Sequence, residues 1–337
     1  MELINQLIDF FSDFADPKKR VFVGYLFLSV LIAFVWLLLF RGNGLKDAVG
    51  RIFNKKIFFS KSAIADYKLF IINQGIATLI SPLLLTQLAI ATAIYFALHD
   101  QSFLAQGHFE YIHSGVIVTL FSVTMFVVDD LTKYLVHRWM HRIPLLWAIH
   151  KVHHSAETLT PITVYRVHPL EGVLYASRSA VAQGITLPIF IFLFGGAVDL
   201  YTVLGVNVIV FVFHVTGSNL RHSHIDIRYW PWLEKFLISP AQHQLHHSVA
   251  EEHHDKNFGA ALAIWDWMFG TLHLSEKEKD LTFGLDPSEA SPATGLKSLY
   301  MGPLVEIFLI LRDRIRQGVM ISKRMISFVR KAPSNFR

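Results

Sequence analysis

Fourteen of the chain's eighteen histidines fall between His137 and His254, and their spacing is helical. His137 and His141 are four apart, so on a helix both rings leave one face, a turn apart. His150, His153 and His154 stand at i, i+3 and i+4, which gathers them on one face again. The HxxHH spacing returns about ninety residues later at His243, His246 and His247, with His222 and His224 lying between the two blocks. A lone histidine is usually an ordinary core or surface residue. Five at helical spacing, with an echo, require another reason. Neutral imidazole is the commonest metal ligand and suits iron, copper, nickel and zinc. Eight or more such ligands exceed what one ion can use, so the pattern predicts two adjacent metals.

The surrounding chain is apolar. Of 337 residues 53% are apolar and 17% charged, where a soluble enzyme carries about 25% charged residues. Long apolar runs and a mean hydropathy of +0.40 predict an all-α, polytopic membrane protein. The chain contains no cysteine, which excludes disulfides, Cys-ligated iron–sulfur clusters and thiolate metal sites. The net charge of +5 fits contact with an anionic cytoplasmic leaflet. No nucleic-acid motif is present, so the expected partner is lipid.

Taken in order, residues 1–20 read as a short amphipathic start that ends in Lys18, Lys19 and Arg20. Val21–Phe40 supplies a first span. Its apolar core is too long for a signal peptide and no small-residue cleavage site follows, so it is expected to be retained. A basic linker occupies residues 41–68. Leu69–Leu98 exceeds one crossing, and Pro82 predicts either a kink or a re-entrant turn. The loop 99–113 has no Lys or Arg, and Ser114–Val128 then leads into Asp129, Asp130 and the first histidine pair. Ala180–Phe194, Gly195-Gly196 and Tyr201–Phe213 read as a helical hairpin that enters and returns. That return brings His222, His224 and His243–His247 to the side of His137–His154. The basic linker belongs inside and the cation-free loop outside, so the histidine-rich helical cap is expected to face the cytoplasm. The three cations before the first span pull the other way. Trp230, Trp232, Trp265 and Trp267 suit either an interface belt or a packed cap. Beyond Leu296 a mostly apolar helix passes into a basic amphipathic surface helix. Three regions result: membrane spans and linker over 1–124, a catalytic domain over 125–275, and membrane-associated helices over 276–337.

Other metal signatures fit less well. HExxH is absent. Two ExxH motifs, Glu110–His113 and Glu251–His254, match the carboxylate di-iron pattern, but a span separates them in this topology. A histidine-dominated pair of metals remains.

Three blocks then resemble a known family in order and spacing. Asp130-Leu-x-x-Tyr-x-x-His-Arg-x-x-His141, Trp147-Ala-Ile-His-Lys-Val-His-His-Ser155 and Ser239-Pro-Ala-Gln-His-Gln-Leu-His-His-Ser248 are similar to the boxes of the fatty acid hydroxylase superfamily (the sterol desaturase family). Asp255-Lys-Asn-Phe-Gly and Trp265-Asp266…Phe269-Gly-Thr271 resemble the segment that follows them. The resemblance covers residues 125–275. It implies a non-haem di-iron centre that uses O₂ as cosubstrate to hydroxylate or desaturate a lipid drawn from the bilayer. By motif position it makes His137, His141, His150, His153, His154, His243, His246 and His247 metal ligands, together with His222. His224, where other members often carry Asn or Glu, is expected as a further ligand. His168, in Arg166-x-His-Pro-Leu-Glu171, matches a pattern of sterol-oxidising members and is implied as a ligand or a hydrogen-bond partner of one; His214, at a helix end, is either a ligand or an interfacial histidine, and the nearby Asp130 and Asp255 are candidate ligands or acceptors for ligand rings. Asp129, Glu157, Glu171 and Asp266 are additional acceptors for ring N–H groups. No carboxylate is needed as a general base.

No dinucleotide fingerprint, haem site or cysteine cluster is present, so electrons must come from a partner: a reductase, a cytochrome b5-like protein, a ferredoxin or a pterin. Ligands alone do not separate hydroxylation from desaturation, since both begin with one hydrogen abstraction. An ether-lipid-cleaving enzyme of alkylglycerol-monooxygenase type is a further alternative. So are a zinc metallohydrolase with the same ligands, an inactive lipid-binding relative, and a metal transporter. Against the transporter, ionisable residues are nearly absent from the apolar blocks themselves.

Overall fold

The structure, a computed structural model, describes residues 14–16, 20–81, 84, 86–195, 198, 212–213, 218–275, 281–286 and 294–331, with side chains as far as 317. These residues are all-helical; beyond helices they form only the isolated bridges Leu237–Leu262 and Ser248–Phe283. The amphipathic start, Pro82, His214 and nearly all of the return segment Tyr201–Phe213 lie outside the described residues, as do the side chains of the last basic turns.

Helix α1 (Val23–Leu39) buries Tyr25, Ser29, Ala33 and Leu37, one residue every four. Ala33 and Leu37 of that stripe pack with Leu220, Ile225 and Ile227 of the cap, while Val23, Phe27, Leu31, Val35 and Leu39 face outward. At 17 residues it falls short of the ~20 that a crossing needs. Short helices α2 (Leu45–Ile52) and α3 (Lys55–Phe58) follow. The long apolar stretch Leu69–Leu98 is not one span but two helices, α4 (Lys61–Ile80) and α5 (Gln87–Asp100). Ser60 and Thr86 begin them as N-caps, each accepting from the backbone N–H three residues on.

Among the described residues two helices are long and apolar enough to cross a membrane: α6 (Ser114–Arg142) and α8 (Pro169–Phe194). Helix α6, 29 residues and so about 43 Å long, changes character along its length. Its first half packs Ile117, Phe121 and Met125 against Phe190 and Phe194 of α8; its last turns carry His137 and His141. The loop before it closes on the far end of α8 through Gly107 N–H to Phe192 O and Phe109 N–H to Leu193 O. Glu110 and His113 therefore sit at the opposite end of α6 from the histidine pair. Helix length and packing explain why the two ExxH motifs do not meet.

Ile143, in extended conformation, ends α6, and Pro144 at the first helical position starts α7 (Pro144–His154). Helix α9 (Pro240–His246) begins with a capping box of Ser239 and Gln242, and α10 (Ile264–Met268) follows. The long final helix α11 (Leu296–Lys331) docks on the outer face of α7. Leu299 packs on Val152, and Lys151 Nζ lies 2.5 Å from Glu306.

Candidate metal centre

Nine histidines converge where α6, α7, α9 and the segment after residue 218 meet. His137, His141, His150, His154 and His246 form one group, and His153, His222, His243 and His247 a second; within each, the available ring nitrogens lie within 4.8 Å of one another. Each HxxHH box serves both groups. On α7 the i, i+4 pair His150 and His154 goes to the first and His153 to the second. On α9 the i, i+4 pair His243 and His247 goes to the second and His246 to the first. The groups touch: His154 stacks on His247 with ring centroids 4.6 Å apart.

The first group's rings are oriented from behind. His137 Nδ1 lies 2.8 Å from Phe258 O, His246 Nδ1 2.7 Å from Lys256 O, and His150 Nδ1 2.9 Å from Glu171 Oε1. A carbonyl only accepts, so Nδ1 of His137 and of His246 carries the proton and Nε2 keeps its lone pair. The Nε2 atoms of His141, His150, His154 and His246 are buried with no hydrogen-bond partner among the described residues. Buried polar atoms left this way are costly unless something binds them.

The second group shows the same need differently. His222 Nε2 lies 3.1 Å from His153 Nε2 and 3.0 Å from His243 Nε2. A ring nitrogen offers one in-plane lone pair or one proton, so His222 Nε2 cannot satisfy both neighbours. A shared cation resolves the conflict: with imidazole–metal bonds of ~2.1 Å, nitrogens at right angles stand about 3.0 Å apart. The donor set fits metal ions in both groups. Burial, reinforced by neighbouring imidazoles, holds His150, His154, His222, His243, His246 and His247 well below the ordinary histidine range. Burial first, and the nearby His137, bring His153 down to about 3. These rings stay neutral, the form that binds metal.

The loop that supplies Lys256 O and Phe258 O is built by residues the motif had marked. Asp255 and Asn257 have φ of 60° and 55°, the left-handed region that Asp and Asn tolerate best. Buried Asn257 secures this turn by donating to Gln242 O and His273 O and accepting from His273 N–H. Asp266 accepts from Phe258 N–H, Gly259 N–H and Thr271 Oγ1, and burial still pushes its carboxyl up to about 6. Asp130 accepts from Ala261 N–H, Leu262 N–H and Trp265 Nε1–H. It ties this loop to α6 and lies outside both histidine groups. Asp255 instead pairs with Arg142 at 3.2 Å and lines a cavity of about 250 Å³ whose walls include His141, Trp147, His154 and His246.

Two expected residues are placed elsewhere. His224 is not brought to either group: its Nε2 donates to Arg51 O at 2.8 Å and its ring meets Phe58 edge-on. Ser223 between it and His222 sends the two side chains apart. His168 caps α8, accepting from Leu170 N–H through Nδ1, with Nε2 3.1 Å from Tyr300 O; it fastens α11 rather than a metal. Of the proposed carboxylate acceptors, Glu171 does meet a ring nitrogen. Sequence reasoning did not anticipate the backbone carbonyls of Lys256 and Phe258, which leave no residue-type signal. Nor did it single out Arg166, quoted only as part of the His168 motif.

Residues 122–271 match the family model for fatty acid hydroxylase. The chain is 27% identical over 162 residues to an ornithine lipid hydroxylase of Rhizobium tropici (47% of this chain, 44% of the relative). It is 30% identical over 147 residues to the alkylglycerol monooxygenase of Danio rerio (44% and 29%). It is 29% identical over 171 residues to a Delta(7)-sterol 5(6)-desaturase of Aspergillus fumigatus (47% and 50%). Each match spans half or less of the relative's own length. No solved structure matches the chain. The residues that match the family model contain all nine histidines of the two groups.

Proposed function

We propose that this chain is a membrane-bound di-iron oxygenase that hydroxylates or desaturates a lipid, using O₂ and electrons from an external donor. The observation that carries this reading is the division of nine histidines, eight of them buried, into two touching groups of five and four. When bound there, a pair of irons supplies O₂ reduction and hydrogen removal from an unactivated carbon.

The protein's own work is to hold and shield. Phe258 O, Lys256 O and Glu171 keep His137, His246 and His150 turned inward. The rings of Trp147 and Phe258 pack against that of His141, with centroids 5.1 and 5.0 Å away. Helices α6 and α8 are proposed as crossings of a multi-pass chain; only 28% and 39% of their most apolar windows is buried by protein, leaving an apolar surface for lipid to cover. The cap faces the cytoplasm in this proposal, on the side of the basic linker. The donor is a reductase, cytochrome b5-like protein, ferredoxin or pterin, because the cysteine-free chain carries no cluster of its own.

Ether-lipid cleavage is the second reading, supported by the 30% identity to an alkylglycerol monooxygenase. The test common to both is metal analysis of detergent-purified protein beside His153→Ala. Two irons per chain, depleted in the variant, with O₂ consumed when reductant and lipid are supplied, is the expected result. One zinc per chain and no O₂ uptake after iron reconstitution would replace the oxygenase with a hydrolase.

A further inference from the structure

His224, which the metal groups leave out, stands in the walls of two cavities of opposite character. One, of about 390 Å³, is lined by Arg41, Arg51, Arg228, Asp226 and Gln244. The other, of about 560 Å³, is walled by Leu26, Val30, Ala33, Phe53, Phe58 and Ile225, with Lys55 among its lining residues. Among the described lining residues of the polar cavity, three guanidinium groups meet one carboxylate. Asp226 pairs with Arg41 and lies 3.4 Å from Arg228. His224 Nε2–H is committed to Arg51 O, and its buried Nδ1 has no hydrogen-bond partner among the described residues.

We propose that these adjoining cavities are one binding site for a phosphate-bearing lipid. Its phosphate lies among Arg41, Arg51 and Arg228, the head passes His224 where the two cavities meet, and an acyl chain enters the apolar cavity along α1. Guanidinium pairs phosphate in a two-pronged geometry that ammonium does not match. Basic pockets beside membrane helices on the cytoplasmic side are suited to anionic headgroups, and the apolar cavity has the size of an ordinary small-molecule pocket, ~300–1,000 Å³.

This site is distinct from the cavity that reaches His141, His154 and His246. It lies behind the metal centre. Leu220 and Ser223 line the apolar cavity while His222 faces His153 and His243. Gln244, on the histidine-bearing α9, lines the polar cavity and donates to Ser223 O and Ile225 O at 2.8 and 2.9 Å. A lipid held here presses on the back of two elements that carry histidines of the second group. The proposal does not depend on which reaction the metals perform.

The test is lipid binding to the full-length, metal-loaded protein in detergent, read by native mass spectrometry. The probes are dioleoyl phosphatidylglycerol, dioleoyl phosphatidylcholine and inorganic phosphate. Wild type is expected to retain phosphatidylglycerol over phosphatidylcholine by about tenfold, and the double variant Arg51→Gln, Arg228→Gln to lose that preference. Val30→Trp, which fills the apolar cavity, should weaken both lipids while metal content stays at the wild-type level. If the double variant loses metal, Arg51→Gln alone carries the test, because its side chain is exposed. Undiminished lipid retention in Val30→Trp would overturn the proposal, as would full displacement by inorganic phosphate, which marks a simple anion site. Equal retention of the two lipids by wild type would also overturn it.

Discussion

Arg166 and Asp66 form an ion pair a hundred residues apart in sequence, Nη1 to Oδ1 2.7 Å, with both side chains fully buried. The pair is part of a clamp. Arg166 Nε donates to Val152 O at 3.0 Å, and Nη2 donates to Ser155 O at 3.2 Å; Thr163 Oγ1 donates to the other oxygen of Asp66. Val152 and Ser155 bracket His153 and His154, so one guanidinium satisfies the carbonyls that the end of α7 leaves open. Removing one member of a buried pair leaves a stranded charge at a cost of about 3–5 kcal/mol. Arg166→Met should therefore lower the unfolding midpoint sharply and deplete metal from both groups. Arg166→Lys should recover part of the stability, because it keeps the charge and loses the fork. Denaturant melts with metal analysis separate the two, and wild-type metal content in Arg166→Met would show that the clamp does not position the histidines.

Glu171 offers a second, smaller test. It meets His150 at 2.9 Å, and both side chains are 2% exposed. Partners of ligand histidines typically account for about 10–100-fold in metal affinity. Glu171→Ala should weaken metal retention by about that factor, measured by competition with a chelator. His224→Ala should leave retention unchanged, since its ring serves Arg51 O.

The histidine groups were legible because helical periodicity converts sequence spacing directly into a shared face. His150 and His154, or His243 and His247, needed no tertiary information to be paired. What the spacing did not give was the exchange between boxes, with His153 and His246 each crossing to the other group. That depends on how α7 and α9 face one another. His224 misled for a related reason: one intervening Ser223 in a non-helical segment is enough to turn a side chain away. Asp66 carries no signal of its role within the basic linker, because its partner Arg166 lies in another element. The first span read correctly as apolar, but Ala33 and Leu37 of its buried stripe belong to packing on the cap, which composition does not distinguish from lipid contact.

Gly259 is a steric test of the loop behind the first group. A Cβ there would stand 2.6 Å from Leu262 O, 2.7 Å from Asp266 Oδ2 and 2.9 Å from Ile238 Cγ1. Two of those atoms are a backbone carbonyl and a carboxylate engaged with Phe258 N–H and Gly259 N–H, so none yields freely. Gly259→Ala should cost about 1–3 kcal/mol and displace Phe258, whose carbonyl orients His137. Loss of stability together with weaker metal retention is expected. Loss of stability alone, with metal affinity intact, would confine Gly259 to packing.

The pH dependence of the metal-free protein follows from the buried rings. His153 is brought down to about 3 by burial and the neighbouring His137, whereas an unfolded histidine titrates near ~6.5. Between these values the unfolded chain binds a proton that the folded chain refuses. Stability therefore rises with pH across this window and is fully present above it. A single such histidine contributes at most about 1.4 kcal/mol per pH unit; other histidines of both groups are shifted the same way. Chelator-stripped protein should thus lose stability steeply from neutral pH down to pH ~5, and His153→Gln should flatten the slope. Bound metal should raise stability by a similar amount across the window and leave the slope unchanged, since the stripped folded chain already binds no proton at these rings. Denaturant melts of stripped and loaded protein at several pH values measure all three slopes. A stripped protein equally stable at pH 5 and pH 7.5 would mean that these rings are protonated, or exposed to water, when no metal is present.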